Sequence, residues 1–294
     1  MIPQGSTPRC AVVIVHFGDP APTASCVEAV LADPSAVARQ VVVVDNSHSL
    51  AAGALGSGVR VLEPAANLGY GAGLNAGVAS LGDCLGGAIV GLNHDVTIEP
   101  GFLAAAVEAL SLPRVGAAAG PLELARPGGE LWYAGGGVNF LTGTVWQSRR
   151  QGDARRARHV GFLTGAAVAI RREAWQAVGG FDPAYFLYNE DLDLCLRLRR
   201  RGWRLRFEPR MRAVHTLGAA TGSERRSPLY LEQITRTRLR PFRPLAYRLY
   251  LAVVHSLWVA VRASVLQAQG DREGVAALLR GHRYALATLT QGPR

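Results

Sequence analysis

Ala11-Val12-Val13-Ile14-Val15-His16-Phe17 and Val41-Val42-Val43-Val44-Asp45-Asn46-Ser47 are the two stretches that decide the fold. Each begins as an apolar, β-branched run without polar alternation, the pattern of a strand covered on both faces in a parallel sheet. Between them, residues 22–32 set Cys26, Val27, Val30 and Leu31 at helical spacing. Strand, helix and strand in so short a span predict a βαβ unit, and Val59 to Leu62 and Ala88 to Leu92 predict further strands of an open α/β sheet.

Ligands of such sheets bind beyond the carboxyl ends of the strands. Three apolar runs end there in polar groups: His16-Phe17, Asp45-Asn46-Ser47 and Asn93-His94-Asp95. Any one of them could cap a helix; the set describes a cleft. After residue 120 the chain turns Gly-rich around Trp132, Tyr133 and Trp146, which predicts hairpins and loops over the cleft. Val160 to Ile170 returns to strand composition, and Arg171 to Val178 reads as a short helix stopped by Gly179-Gly180. Asn189 is placed to cap a helix whose first turn holds Glu190, Asp191 and Asp193 and which ends at Gly202, before an alternating strand at Trp203, Leu205 and Phe207. From Pro228 onward, two Arg-rich helical segments divided near Gly270 complete the chain.

The 294 residues are 49% hydrophobic, enough for a full α/β enzyme domain and a smaller appendage. All 32 basic residues are Arg, and the net charge is +10. Most of the Arg residues lie between 149 and 158, 197 and 212, and 225 and 248, whereas the first 110 residues carry only Arg9, Arg39 and Arg60. No RNA-binding or helix-turn-helix pattern accompanies them, so no nucleic acid partner is expected. Cys10, Cys26, Cys84 and Cys195 form no C-x-x-C pair and have apolar neighbours, as reduced core thiols of a cytoplasmic protein would. The apolar run at 11–15 is too short for a signal peptide, and Leu249 to Val261, interrupted by His255 and Ser256, falls short of the roughly 20 residues of a membrane span. A soluble or peripheral protein is expected.

Three segments carry chemistry. Asn67-Leu68-Gly69-Tyr70-Gly71-Ala72-Gly73-Leu74-Asn75-Ala76-Gly77 follows a strand and opens a helix, where glycines admit a ligand to the backbone and free amides receive phosphate. A dinucleotide fingerprint would place these glycines after the first strand and an acid some 20 residues on; neither holds, and close helix packing is the plain structural reading. Asn93-x-Asp95 ends a strong strand, where one carboxylate with substrate phosphates can hold Mg²⁺ or Mn²⁺, or where Asp95 simply caps a turn. In Gly179 to Asp193 an aromatic stretch leads into three carboxylates. Asp191 is there either a general base or a surface acid favoured by the helix dipole, and Asp193 is matched to Arg197 at i, i+4. His215, just past another apolar stretch, reads by itself as a buried or capping histidine.

In order, DN-S at 45–47, N-x-G-x-G-x-x-x-N-x-G at 67–77, L-N-x-D at 92–95, G-A-A-x-A-I-R-R at 165–172, G-G-F-D-P at 179–183, E-D-x-D at 190–193 and H-x-x-G at 215–218 resemble glycosyltransferase family 2, and within it the rhamnosyltransferase-type branch, over about residues 10–222. The resemblance implies a GT-A fold, a Rossmann-like mixed sheet flanked by helices, as a catalytic domain at 1–222 with a C-terminal helical extension at 223–294. It implies an inverting transfer from a nucleoside diphosphate sugar to an acceptor hydroxyl. Val15, His16, Phe17 and Asp45 would meet the base and ribose, with Asn67, Gly69, Asn75 and Asn93 near the donor. Asp95 would hold Mg²⁺ or Mn²⁺ with the diphosphate, His215 completing the coordination. Asp191 would deprotonate the acceptor, with Glu190, Tyr188 and Trp132 on the acceptor side.

The branch points to a dTDP-L-rhamnose donor, with UDP-galactofuranose, UDP-glucose and GDP-mannose as alternatives, and to a glycan, lipid-linked or small-molecule acceptor. The chain departs from the pattern at His94, where relatives often have Pro, at Asn189, where an aromatic is common, and after Ser47, where an acidic residue is missing. The rival classes are a nucleotide-dependent oxidoreductase and a non-catalytic nucleotide-sugar-binding module. The Arg-rich C-terminal helices have two readings: peripheral contact with the inner face of the plasma membrane, or packing on the catalytic domain or on a second subunit of a homodimer.

Overall fold

The computed structural model describes residues 9–82, 86–126, 128–216 and 227–291. The first half holds β1 (Arg9–His16), α1 (Pro20–Ala32), β2 (Ala38–Asp45), β3 (Val59–Leu62), α2 (Tyr70–Ser80), β4 (Ala88–Asn93), β5 (Val96–Ile98), α3 (Phe102–Ser111) and β6 (Val115–Ala119). The middle holds β7 (Leu122–Leu124), β8 (Leu131–Tyr133), β9 (Gly136–Asn139), β10 (Thr144–Gln147), α4 (Gln151–Ala154), β11 (Arg158–Val160), β12 (Ala167–Arg171), α5 (Arg172–Val178), α6 (Glu190–Arg200), β13 (Arg204–Phe207) and β14 (Ala213–His215). Three helices follow, α7 (Pro228–Arg236), α8 (Leu245–Ala268) and α9 (Arg272–Ala287).

Eight strands form the main sheet in the order β11, β13, β6, β12, β4, β1, β2, β3. β3, β2, β1 and β4 run parallel, as their apolar runs predict, and β12 enters antiparallel between β4 and β6. Val12, Val13, Ile14, Val42, Val43 and Val44 are fully buried, each adding about 1.5–3 kcal/mol of burial. A four-stranded sheet, β5, β14, β7, β8, and the β9–β10 hairpin lie beside it, in the region where Gly-rich hairpins were expected. The strand predicted over Val160 to Ile170 is two strands, β11 and β12, because residues 161–166 turn from one to the other past Asp191.

The two helical segments expected after Pro228 are three. Gly270 marks one break as predicted, while Pro241 and Pro244, which lack the amide a helix needs, separate α7 from α8. Leu231, Val259, Leu266, Ala277 and Leu278 make a small core of their own, and Leu239, Phe242, Leu251, Ala252 and Ala285 join the main core. The boundary expected at 222 lies outside the described residues, as does Cys84. Cys10, Cys26 and Cys195 are buried free thiols.

Helix α8 departs from the expectation for its segment. At 24 residues, it extends well beyond Leu249 to Val261 and is, among the described residues, the one helix long and apolar enough to cross a membrane by length and composition. The helix absorbs His255 and Ser256 on its packed side, so they do not shorten it: His255 is buried, and Ser256 donates to the Ala252 carbonyl at 2.8 Å.

Candidate active site

The ends of β1 and β2 are neighbours in register, His16 beside Asp45. Both side chains are fully buried. Asp45 Oδ1 accepts from the Ser47 amide at 2.9 Å and the Ser47 hydroxyl at 3.0 Å, and Oδ2 accepts from the Leu50 amide at 2.9 Å. Burial alone would raise this carboxyl, but the Leu50 and Ser47 amides, the Ser47 hydroxyl and His16 hold it below its usual range. The His16 ring bonds Thr23 at 2.6 Å and Ser49 at 2.8 Å, and burial lowers its pKa and keeps it neutral. These residues therefore shape the loop floor from beneath. Phe17 is exposed, whereas Val15 is buried.

Asn46 ties this floor to the Gly-rich segment, donating to the Gly69 carbonyl at 3.0 Å and accepting from the Leu68 amide at 3.3 Å. Asn67, itself exposed, accepts from the Gly69 amide at 2.9 Å and closes a tight turn. Gly69 has φ +76°, and a Cβ there would lie 2.0 Å from the Phe186 carbonyl oxygen; the next amide, Tyr70, donates to that same oxygen at 3.1 Å. A Cβ on Gly77 would lie 2.3 Å from Val13 Cγ1, so this glycine lets α2 lie directly on β1. Asn75 accepts from the Phe181 amide at 2.9 Å and donates to the Phe181 carbonyl at 2.8 Å. The structure thus brings Gly69 and Asn75 to the 181–189 loop, which they clamp.

Asn93 closes β4, its amide donating to the Ala166 carbonyl at 2.9 Å. Asp95 follows, buried, with Oδ1 3.0 Å from His215 Nε2. Val96 of β5 pairs with His215 of β14, which places Asp95 and His215 at one edge of the second sheet. The Trp132 ring, expected on the acceptor side, stands edge-on to His215 at 5.3 Å between centroids. His215 Nδ1 is buried with no partner among the described residues. His94 is buried as well, its ring edge-on to His16 at 5.5 Å.

The two side chains are hydrogen-bonded to each other, and as a carboxylate and an imidazole they are of the donor types that a divalent ion accepts. Among the described residues no group of three or more His, Cys, Asp or Glu could hold a metal. A divalent cation held by Asp95 and His215 would therefore need substrate phosphates and water to complete its shell.

Asp191 lies in the first turn of α6. Its Oδ1 accepts from the Leu192 amide at 2.8 Å and its Oδ2 from the Gly165 amide at 3.2 Å. Gly165 precedes Ala166, the residue bonded to Asn93, so Asp191 reaches the strand end that leads to Asp95. Tyr70 spans the same junction: its hydroxyl donates to the Gly165 carbonyl at 2.5 Å, and its phenol lies within the fields of Glu190, Asp191 and Asp95. The two acids therefore converge at the carboxyl end of the sheet. Tyr70 is not singled out by sequence because it stands as one aromatic among glycines; its place at the turn into α2 is the available signal.

Glu190 is buried, with no partner for Oε2 among the described residues, and both burial and the Asp191 charge raise its carboxyl. Burial also raises Asp191, but the Gly165 and Leu192 amides favour its ionised form. Of the two, Asp191 is the better carboxylate and Glu190 the better holder of a proton. Asp193 pairs with Arg197 as the spacing predicts, Nε to Oδ2 at 2.6 Å, and Arg197 also donates to the Val178 and Gly180 carbonyls.

Asn189 holds the N-cap position of α6 as predicted, with φ +66° and its carbonyl accepting from the Asp193 amide at 2.9 Å, but its side chain makes no cap hydrogen bond. It donates instead to the Ile234 carbonyl at 3.0 Å and the Thr237 hydroxyl at 2.9 Å, joining the loop to the end of α7. Tyr188, expected on the acceptor side, stacks edge-on to Tyr230 of α7, 5.0 Å between centroids.

A family model described as glycosyltransferase-like family 2 matches residues 8–241, and the chain belongs to that family. It is 35% identical over 195 residues to an N-acetylglucosaminyl-diphospho-decaprenol L-rhamnosyltransferase of Mycobacterium tuberculosis, a match covering 58% of this chain and 63% of the relative. The chain thus spans less than two thirds of that relative's length. It is 43% identical over 56 residues to the rhamnosyltransferase WbbL of Escherichia coli, 19% of this chain and 21% of the other.

Among solved structures it resembles GalNAc-T7 with UDP, GalNAc and Mn²⁺, at TM-score 0.63 and 17% identity over 99% of this chain and 55% of that one. It also resembles a mannosyltransferase of Pyrobaculum calidifontis with GDP-Man and Mn²⁺, at TM-score 0.55 and 17% identity over 98% and 88% of the two chains. These likenesses and the mixed sheet establish the GT-A fold.

Proposed function

We propose that the protein is an inverting glycosyltransferase that moves a deoxyhexose, L-rhamnose, from a dTDP-linked donor to a hydroxyl of a lipid-linked glycan at the cytoplasmic side of a membrane. The observation that carries the reaction class is the convergence of the Asp95–His215 pair and the amide-held Asp191 on one end of the sheet. Donor and acceptor identities rest on the activities of the relatives.

Asp191 accepts the proton of the acceptor hydroxyl as its oxygen attacks the anomeric carbon, on the face opposite the leaving diphosphate. One displacement inverts the configuration, and a positioned base contributes about 10²–10⁴ in rate. The Gly165 and Leu192 amides orient the carboxylate, while Glu190, holding its proton, adds no second charge beside the reacting hydroxyl. Asp95 and His215 would hold Mg²⁺ or Mn²⁺, which when bound stabilises the negative charge that develops on the leaving diphosphate. Phe17, next in the chain to His16, is the exposed surface available to the base.

A thermal-shift screen of dTDP, UDP and GDP with and without Mn²⁺, followed by assay of dTDP release from dTDP-L-rhamnose with a polyprenyl-linked acceptor, tests the reading. Mn²⁺-dependent stabilisation by dTDP and acceptor-dependent release are expected. Stabilisation by NAD(H), added to the same screen, and not by any nucleoside diphosphate would reject it.

A further inference from the structure

Among the described residues, none covers the outer face of α8. Leu249, Tyr250, Val253, Leu257, Val261 and Val265 all face water, and no exposed residue between 245 and 265 is charged. Val253, Leu257 and Val261 are 63%, 65% and 67% exposed. The spacing of four sets them in one row, about 24 Å long from 249 to 265. Monomeric soluble proteins rarely leave so continuous an apolar surface in water.

A second segment extends the row. The turn 140–143 of the β9–β10 hairpin is fixed beside the start of α8, where the Tyr247 hydroxyl donates to the Phe140 carbonyl and the Tyr250 hydroxyl to the Leu141 carbonyl at 2.9 Å. This turn presents Leu141, 73% exposed, and the exposed Phe140. The opposite face of α8 packs Leu251, Ala252, His255, Val259 and Leu266 into the molecule. A helix held along one side in this way can enter an apolar medium to partial depth but cannot be surrounded by it.

Charge selects the occupant. The chain carries +10, and the exposed Arg243 lies two residues before α8. A second copy would bring the same positive charge to the contact, whereas an anionic lipid surface attracts it at about 1 kcal/mol per Arg close to the membrane.

We propose that the α8 row and the Phe140–Leu141 turn form a docking surface for an anionic bilayer, with α8 lying in the plane of the interface and its side chains entering the headgroup and acyl boundary. This deepens the proposed lipid-linked acceptor by naming the surface that would bring the domain to it, but its test needs no turnover.

Purified full-length protein is floated with vesicles of phosphatidylcholine alone or with about one third phosphatidylglycerol. The wild type should cofloat with the anionic vesicles, and Val253→Glu/Leu257→Glu and, separately, Leu141→Glu should lower partitioning at least about tenfold. All three positions are exposed, so folding is expected to persist, checked by circular dichroism and by unchanged release of dTDP with a short soluble acceptor. Wild type that stays at the bottom of the gradient, or a double variant that floats equally well, overturns the docking surface. So does a lipid-free dimer in analytical ultracentrifugation that the double variant dissociates, which would assign the row to a second copy. Flotation without any dTDP release would instead overturn the enzymatic reading and leave the docking surface standing.

Discussion

Asp95 Oδ1 and His215 Nε2, 120 residues apart in sequence, lie 3.0 Å apart across neighbouring antiparallel strands. The pairing of Val96 with His215 brings the two side chains within hydrogen-bond distance at one edge of the sheet. Asp95→Ala should weaken Mn²⁺-dependent binding of nucleoside diphosphate at least about tenfold, and His215→Ala by less, since one charged ligand remains. Isothermal titration with Mn²⁺ and with EDTA measures this. Equal affinity of wild type and Asp95→Ala in Mn²⁺ would remove Asp95 from the site.

Asn75 distinguishes a clamp from a donor contact. Both of its hydrogen bonds go to the Phe181 backbone, so Asn75→Ala should cost about 1–3 kcal/mol in urea unfolding while leaving donor KM within about twofold. A large rise in KM without loss of stability would return Asn75 to the donor side.

Gly69→Ala meets two obstacles at once, a positive φ of +76° and a Cβ position 2.0 Å from the Phe186 oxygen. A loss of at least about 2 kcal/mol is expected by thermal or urea unfolding, because the obstacle is backbone and cannot rotate away. A neutral effect would mean that the 67–70 and 181–189 loops separate freely.

Much of this fold is legible in the sequence because its signals are local. The valine runs of β1 and β2 can only be doubly covered strands, and the polar residues that end them mark the cleft. Gly179 stops α5 with φ +74°, as a helix-ending glycine should. The spacing of Asp193 and Arg197 announces their pair directly. Expectation fails where a distant element decides. Asn189 has the chemistry and the position of a cap, yet its side chain turns to α7, which is 45 residues away at Ile234. The extent of α8 is hidden because His255 and Ser256 look like interruptions until the helix shows which face they occupy. The loop partners of His16 and Asp45, among them Thr23, Ser49 and the Leu50 amide, are likewise not announced by local spacing.

Glu190 links pH to stability. Its carboxyl is pushed up to about 8 in the folded state by burial and by the Asp191 charge. Its contribution is therefore fully present below the unfolded carboxyl pKa and is lost as pH rises through the folded value. Wild type should lose stability from about pH 5 to pH 9 relative to Glu190→Gln, with a slope on the order of 1 kcal/mol per pH unit in the middle of that window. Calorimetric melting across the same range measures it. Parallel curves for the two proteins would show that Glu190 ionises freely in the fold.

The most direct measurement of the central proposal is single-turnover transfer by Asp191→Asn alongside donor binding. The amide keeps the shape of the side chain but cannot take the proton. Donor affinity within about threefold of wild type, with transfer slowed at least about a hundredfold, is the expected result. Transfer at a near-normal rate with intact donor binding would contradict the assignment of Asp191 as the base.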